Sequence, residues 1–286
     1  MLSSKVNEIM TSHLTMVPSS QSVLDVIKLM ASEDVGRVVI TDRDIPVGVF
    51  TETDVLRRVV NGKVDASNIR IKEVMTSPIR AVREETHIVQ AFAKMFQGHY
   101  RHLLVRGRRG RIVGIVSMRR ILKIAVELGQ GINDTRTLAN IANSKPVTVD
   151  QSCSIYETIQ SMVQKKVGAV VATSAAKATG IFTERDVLKR VATKELNSRE
   201  TLLEAVMTAP LITLPQTESV GNALAEMYRR DIRNLPVSDA AGDLIGIVSM
   251  PEILQYAKAF DIDEQVRRTW KEVAEYLDAD DQYTPG

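Results

Sequence analysis

Apolar residues fall three and four positions apart at Val23, Val26, Ile27 and Met30, which places one stripe along a helix. An extended stretch, Leu14 to Val17, precedes that helix. The β-branched run Arg37-Val38-Val39-Ile40 follows it and closes in the turn-rich Thr41-Asp42-Arg43-Asp44. A second strand, Val47 to Phe50, runs into a helix that begins near Thr51 and carries Val55, Leu56, Val59 and Val60 on its apolar side. The predicted order is β-α-β-β-α.

That unit returns three times. The glycine that opens the segment after the second hairpin strand recurs every 66 residues, at Gly48, Gly114, Gly180 and Gly246, in the contexts GVFTETD, GIVSMRR, GIFTERD and GIVSMPE. The first copy resembles the third and the second resembles the fourth, so the repeat is a duplicated pair. Helical stripes recur at Ile88, Phe92 and Met95, at Ile155, Ile159 and Met162, and at Val220, Leu224 and Met227. Strands recur at 102–105 with 112–116, at 169–172 with 179–182, and at 235–237 with 244–248. One unit alone buries too little surface to be secure, and pairing buries the open sheet face. The expected organisation is α/β, with four β-α-β-β-α repeats paired into two modules. Module 1 spans 1–128, with repeats at about 6–62 and 71–128. Module 2 spans 133–286, with repeats at about 136–194 and 203–258. The boundary falls in Gly129-Gln130-Gly131-Ile132-Asn133-Asp134. Val266, Trp270, Val273 and Leu277 predict an amphipathic helix over about 262–278 that docks on a module or a partner.

Composition narrows the class without naming a function. With 44% hydrophobic and 25% charged residues in 286, the chain reads as globular rather than disordered, and no run of eighteen apolar residues predicts a membrane span. The N-terminus lacks the pattern of a secretory signal, so the expected compartment is the cytoplasm. The lone Cys153 excludes an internal disulfide and a multi-cysteine zinc site. A net charge of +2 is too balanced to make nucleic acid or an anionic membrane the main partner. Arginines nonetheless concentrate in repeat 2, at Arg101, Arg106, Arg108, Arg109, Arg111, Arg119 and Arg120.

Thr51-Glu52-Thr53-Asp54 and Thr183-Glu184-Arg185-Asp186 each stand where a strand turns into a helix. One reading is a capping box, in which the hydroxyl and the carboxylate satisfy backbone N–H groups at the helix start. Ser249-Met250-Pro251-Glu252 keeps a cap-competent pattern with a longer acid, whereas Ser117-Met118-Arg119-Arg120 puts a cation there. Capping alone does not explain why the odd repeats keep Asp. The other reading uses the same geometry: a helix N-terminus suits a phosphate, and a short fixed carboxylate accepts from both vicinal hydroxyls of a ribose.

With Gly-h-h-Thr/Ser-x-x-Asp (h apolar) at the end of a β-α-β-β-α unit, the chain resembles the CBS-domain family, and two adjacent copies resemble a Bateman module. The likeness covers about 6–128 and 136–258, and the four-repeat layout resembles the gamma subunit of AMP-activated protein kinase. The resemblance implies clefts between paired repeats that bind AMP, ADP, ATP or S-adenosylmethionine. For module 1 it implies Asp54 on ribose and Thr51 on ribose or phosphate, with Val49 and Thr53 alongside. Pro78, Ile79, Arg80 and Tyr100 would stand by the base, with Arg101, His102, Ser117 and Arg119 toward the phosphates. For module 2 it implies Asp186 and Thr183 with Ile181 and Arg185 alongside. Pro210, Leu211, Ile212 and Ile232 would stand near the base, with Arg233, Asn234 and Ser249 on the polar side. The module 2 phosphate side is less basic, so weaker affinity or a less charged ligand is expected there. The opposite clefts depend on Arg120, which cannot accept from a ribose, and on Glu252; Ala142-Asn143 also departs from the Met-Thr that opens repeats 1 and 2.

No residue is nominated as catalytic. His13, His87, His99 and His102 are the only histidines, no HExxH spacing occurs, and His99 and His102, three apart on a strand, point to opposite faces, so no metal site is expected. Gly129-Gln130-Gly131 lacks the third glycine and preceding strand of a dinucleotide fingerprint, and no Walker A lysine motif occurs. The Arg106–Arg111 turn reads as a solvated β-turn; nucleic-acid binding there would fall steeply with salt and need no nucleotide. The expectation is a regulatory, non-enzymatic sensor of an adenine nucleotide (AMP, ADP or ATP), needing no other cofactor. It would act on an unidentified regulated protein, with a second copy of the chain as a further candidate partner. The alternatives are an interaction scaffold for nucleic acid or protein with vestigial clefts, and an S-adenosylmethionine binder, which is favoured if Arg101 and Arg119 face away from the cleft.

Overall fold

The computed structural model of the protein describes residues 5–62, 64–98, 100–121, 137–142, 145–194, 196–249 and 252. The boundary cluster at 129–134, the helix expected at 262–278 and His99 lie outside the described residues.

Repeat 1 consists of β1 (Met16–Pro18), α1 (Val23–Ser32), β2 (Arg37–Asp42), β3 (Ile45–Thr51) and α2, a turn Glu52–Asp54 that continues as the wider π-type turns of Val55–Val60. Repeat 2 supplies β4 (Ala81–Arg83), α3 (Ile88–Gln97), β5 (His102–Arg106) and β6 (Ile112–Ser117). Repeat 3 supplies β7 (Thr148–Asp150), α4 (Ile155–Lys165), β8 (Ala169–Ser174), β9 (Lys177–Thr183) and α5 (Glu184–Asp186 continuing as Val187–Val191). Repeat 4 supplies β10 (Leu214–Pro215), α6 (Val220–Arg229), β11 (Asn234–Ser238) and β12 (Leu244–Ser249). The mixed α/β order read from the sequence is the observed one. Hydrophobic periodicity did not reveal the short 3-10 turn that opens each repeat (Val6–Glu8, Ile71–Glu73, Leu138–Asn140 and Leu203–Ala205).

Local chemistry starts the long helices. Ser22, Ser154 and Ser219 each accept from the backbone N–H three residues on, which satisfies a donor the first turn leaves free. Each repeat then forms a three-stranded sheet in chain order, with a parallel first pair and an antiparallel second pair. The hairpin is bulged between Ile40 and Thr41, and the same irregularity recurs in the other three sheets.

The 66-residue glycines mark places where chain from the neighbouring repeat crosses a strand. Thr76 bridges to Val49 and Thr11 to Ile115, so repeats 1 and 2 exchange the segments that lead into them; Thr208 bridges to Ile181 in the second half. A Cβ on Gly48 would come 2.4 Å from Met75 Sδ, and one on Gly180 would come 2.8 Å from the Thr208 carbonyl. Gly114 and Gly246 meet Met10 and Ala142 in the same way. None of the four has a positive φ, so close approach rather than turn geometry requires glycine.

Two apolar cores run across the halves of the chain. The larger joins the helices of repeats 1 and 3, with Ile27, Met30, Phe50 and Leu56 facing Ile159, Met162, Phe182 and Leu188. The other joins repeats 2 and 4, with Phe92, Met95 and Leu103 packed with Leu224, Met227 and Leu235. A smaller cluster of Val39, Leu104 and Ile115, flanked by Ile79, lies between the sheets of repeats 1 and 2. Each repeat therefore meets one neighbour through its sheet and another through its helices. No described helix is long and apolar enough to cross a membrane.

Candidate functional site

Helices α2 and α5 meet where the four repeats converge, and their first turns are built alike. Thr51 Oγ1 and backbone N–H donate to one oxygen of Asp54, at 2.8 and 2.9 Å; Thr183 does the same to Asp186, at 2.7 and 2.9 Å. The capping box is therefore real. The second oxygen reaches outward. Asp54 Oδ1 accepts from Thr76 Oγ1 at 3.0 Å, whereas the matching Thr208 contact to Asp186 is longer, at 3.4 Å. Asp186 thus keeps the freer oxygen, since a hydrogen bond weakens toward that length.

One turn further on, Arg58 pairs with Asp54 and donates to the carbonyls of Val74 and Met75. Arg190 does the same with Asp186, Val206 and Met207. These arginines tie the entering segment of one repeat to the helix of another. The sequence reading did not assign them, although the shared i, i+4 spacing from each Asp was a usable signal. In repeat 2, where Arg120 replaces the acid, its Nε donates directly to the Ile9 carbonyl. In repeat 4, Glu252 accepts from the Ser249 backbone and hydroxyl, both at 2.7 Å.

Glu52 and Glu184, also unassigned from sequence, are 3% and 4% exposed. Carboxylates this deep stay charged only when paired. Glu52 accepts from Arg233 at 2.5 Å and lies 3.6 Å from Arg185; Glu184 accepts from Arg101 at 3.1 Å and from Thr53 at 3.1 Å. Each half of the chain thus clamps an arginine of the other. Arg185 also pairs with Asp231 at 2.7 Å, Arg119 pairs with the same carboxylate, and Lys189 pairs with Asp34. The Lys189 hydrogen bond holds the Asp34 carboxyl below its usual range.

These side chains surround a chamber of about 880 Å³. One wall is the Asp186 cleft, with Ile181, Thr183, Arg185, Thr208, Ile232, Arg233, Asn234 and Ser249. The other wall comes from module 1, with Leu14, Arg37, Ile115 and the sequence-nominated Arg101, His102, Ser117 and Arg119. Asp54, Thr51, Thr53, Val49, Pro78, Ile79, Arg80 and Tyr100 do not line it, nor do Pro210, Leu211 and Ile212. Asp54 is buried in its cap, Ile79 packs between the sheets, and Arg80 stacks over the Tyr100 ring, 5.5 Å from its centre. The cations nominated for an Asp54 cleft thus face the same space as Asp186.

Within the chamber Arg37 donates to His102 Nε2 at 3.1 Å. Burial, then the neighbouring Arg233, lower the Arg37 guanidinium to about 10. Burial, reinforced by Arg37, Arg233 and Arg101, holds His102 well below the usual histidine value, so at neutral pH it is an uncharged acceptor. Among the described residues no group of three or more His, Cys, Asp or Glu side chains could hold a metal ion. The arginine-rich turn stands apart: Arg108 pairs with Glu84 and Glu85, and Arg106 donates to the Gly110 carbonyl.

A family model described as CBS domain matches residues 6–61, 71–127, 138–193 and 203–259. The CBS domain-containing protein CBSCBSPB1 of Arabidopsis thaliana is 27% identical over 282 residues, covering 85% of this chain and 52% of that protein. The Meiotically up-regulated gene 70 protein of Schizosaccharomyces pombe is 23% identical over 290 residues, covering 80% of this chain and 40% of its own. The chain spans about half the length of the Arabidopsis relatives it matches. Among solved structures, protein MJ1225 of Methanocaldococcus jannaschii, a candidate archaeal homolog of g-AMPK, superposes with a TM-score of 0.74 at 15% identity, covering 88% of this chain and 99% of that one. At that identity the likeness speaks for the fold.

Proposed function

The chain belongs to the CBS-domain family, and we propose that it is a regulatory protein without catalytic activity that binds an adenine nucleotide in the chamber at the Asp186 cleft. The observation that carries this reading is the composition of one continuous space. A buried carboxylate at a helix start, the apolar side chains of Ile181 and Ile232, and a group of arginines line it together. These supply, in order, a ribose acceptor, a wall for the base and a counter-charge for phosphate. The volume, about 880 Å³, lies within the roughly 300–1,000 Å³ of small-molecule sites. Arg101 and Arg119 both line the chamber, which favours a phosphorylated ligand over S-adenosylmethionine. The pairing of Arg108 with Glu84 and Glu85 favours a solvated turn over a nucleic-acid surface.

Ligand would regulate by changing which partner the cross-half arginines hold, which requires different affinity for the two arrangements. An unidentified regulated protein would read the change. The test is calorimetric titration of the full chain, confirmed free of nucleotide, with AMP, ADP, ATP and S-adenosylmethionine. The reading expects an adenine nucleotide to bind and Asp186→Asn to weaken it. Asp54→Asn, whose acid lies outside the chamber, is expected to change affinity little. Failure of all three nucleotides to bind would end the proposal.

A further inference from the structure

The four sheets share one topology, yet their open edges end on different residues. The first strand of each sheet closes on Pro18, Arg83, Asp150 or Pro215, opposite Thr41, Arg106, Thr173 and Ser238 of the next strand. In β4 the Arg80 carbonyl and the Glu84 N–H bond to β5, at 2.9 Å each, so Ala81 and Arg83 between them turn their backbone groups outward. An added strand must find its donors at that outward position. Proline offers none, which closes the edges of repeats 1 and 4. Asp150 puts a carboxylate at the edge of repeat 3, where it accepts from the Ser152 N–H and hydroxyl. Arg83 offers a donor and a positive charge. Among the described residues no strand pairs with the outer side of β4. Thr86 takes the Arg83 carbonyl, and Val6 and Asn7 donate to Thr86 and Glu84, beyond the strand, so the Ala81 N–H and C=O and the Arg83 N–H form the open edge.

The surface around that edge is basic. Arg83, Arg106, Arg109 and Arg111 are exposed, and among the described residues none of the four has a carboxylate partner. Glu84 and Glu85, the acids beside them, are taken by Arg108. Arg83 stands directly opposite Arg106, and like charges in register repel until an acid reaches them. Residues 272–286, outside the described residues, carry Glu272, Glu275, Asp278, Asp280 and Asp281 and no lysine or arginine. Asp278 and Asp280 are two apart, so in an extended chain both face one side. We propose that this acidic segment docks along the outer edge of β4, with the Asp278 and Asp280 carboxylates on Arg83 and Arg106 and its backbone on the Ala81 and Arg83 N–H groups. From Glu252 to Asp278 the chain extends up to about 85 Å, and still about 60 Å if the stretch up to Leu277 is helical. A globule of 286 residues has a radius of gyration of about 19 Å and is about 50 Å across, so the tether reaches any edge. Charge then selects among them, since Asp150 repels the segment that Arg83 attracts. Weak contacts suffice, because a tethered segment binds at an effective concentration on the order of mM.

Amide hydrogen exchange of the full chain, read by mass spectrometry over 81–83 and 278–281, tests the docking. Four versions are compared: wild type, Arg83→Glu with Arg106→Glu, Asp278→Lys with Asp280→Lys, and all four changes together. At low salt both segments of the wild type are expected to exchange about tenfold more slowly than in either half-reversed version. The fully reversed chain should regain the protection, and about 1 M salt should remove it from both. Thermal melting checks that each version is folded. If the arginine pair of changes unfolds the protein, the aspartate pair carries the test. Equal exchange in wild type and the Asp278/Asp280 version overturns the docking. Protection that grows with protein concentration also overturns it, because the segment would then come from a second copy. So does an edge protected only when a double-stranded DNA oligonucleotide is added, which would make the arginines a nucleic-acid surface.

Discussion

Arg233→Met should expose how strongly the two halves of the chain hold each other. Arg233 Nη1 lies 2.5 Å from Glu52 Oε2, and the side chains are 32% and 4% exposed. Removing one partner of a fully buried pair costs about 3–5 kcal/mol because the other charge is stranded. Here Arg185, 3.6 Å from the other Glu52 oxygen, remains as a partial counter-ion. Arg233 is also a third exposed and therefore partly screened. About 2–3 kcal/mol is the expected loss. Glu52→Gln should cost about 2 kcal/mol, since it leaves Arg233 among Arg37 and Arg119 with its acid gone. The double variant should be less harmful than the two losses added, giving a coupling energy of about 2 kcal/mol. The mirror pair, Arg101 with Glu184, has its arginine 46% exposed and a separation of 3.1 Å, so its coupling should be nearer 1 kcal/mol. Urea unfolding followed by far-ultraviolet circular dichroism yields the stabilities of the wild type and of the three variants of each pair. A Glu52–Arg233 coupling below about 0.5 kcal/mol, or one smaller than that of Arg101–Glu184, would refute the reasoning that burial sets the strength of these clamps.

Three further outcomes follow from other parts of the structure. Gly180→Ala places a Cβ 2.8 Å from the Thr208 carbonyl, which only backbone movement relieves, so it should cost about 2–3 kcal/mol. Gly48→Ala, whose shortest clash is with the movable Met75 side chain, should cost less; equal melting temperatures would count against close approach as the reason for glycine. Asp54→Ala removes an acceptor shared by the Thr51 N–H, the Thr51 hydroxyl and Thr76, and should cost about 2 kcal/mol in denaturant titration without any ligand present. No measurable loss there would mean that the cap is not structural. His102 stays neutral in the folded chain at pH values where the unfolded imidazole, near 6.5, takes a proton. The unfolded state then binds more protons, so stability falls as pH drops below about 6.5, by at most about 1.4 kcal/mol per pH unit for this group. His102→Asn should flatten that part of a pH series of unfolding curves, and an unchanged slope would dispose of the assignment.

The parts legible in the sequence and the parts that were not divide along a physical line. Periodicities of 2 and 3.6 report which face of an element is buried, and those faces are nearly the same in all four repeats, so the β-α-β-β order and the repeat length could be read directly. What the apolar stripes cannot encode is which repeat packs against which. Val26, Ile27 and Met30 would suit any of the other three helices, and the observed joining of repeat 1 with 3 and of 2 with 4 lies in pairs far apart in sequence. Glu52 and Arg233 are separated by 181 residues, and Arg101 and Glu184 by 83. The only trace was that TETD and TERD share a glutamate which the even repeats replace with methionine. The same limit applies to the candidate site. Arg101 and Arg119 sit in module 1, and a reading confined to one module assigns them to its own acid, Asp54. The packing of the repeats sets them on a space that Asp186 also lines, which no reading of one module could anticipate. The four repeats carry Asp54, Arg120, Asp186 and Glu252 at the same position, so their helix starts are chemically unequal. On the proposed function, a ligand reaching Arg233 or Arg101 would compete with Glu52 or Glu184 for it. A phosphate that draws Arg233 away from Glu52 would weaken a contact between halves, so occupancy of one cleft and the fit between the halves are energetically one quantity.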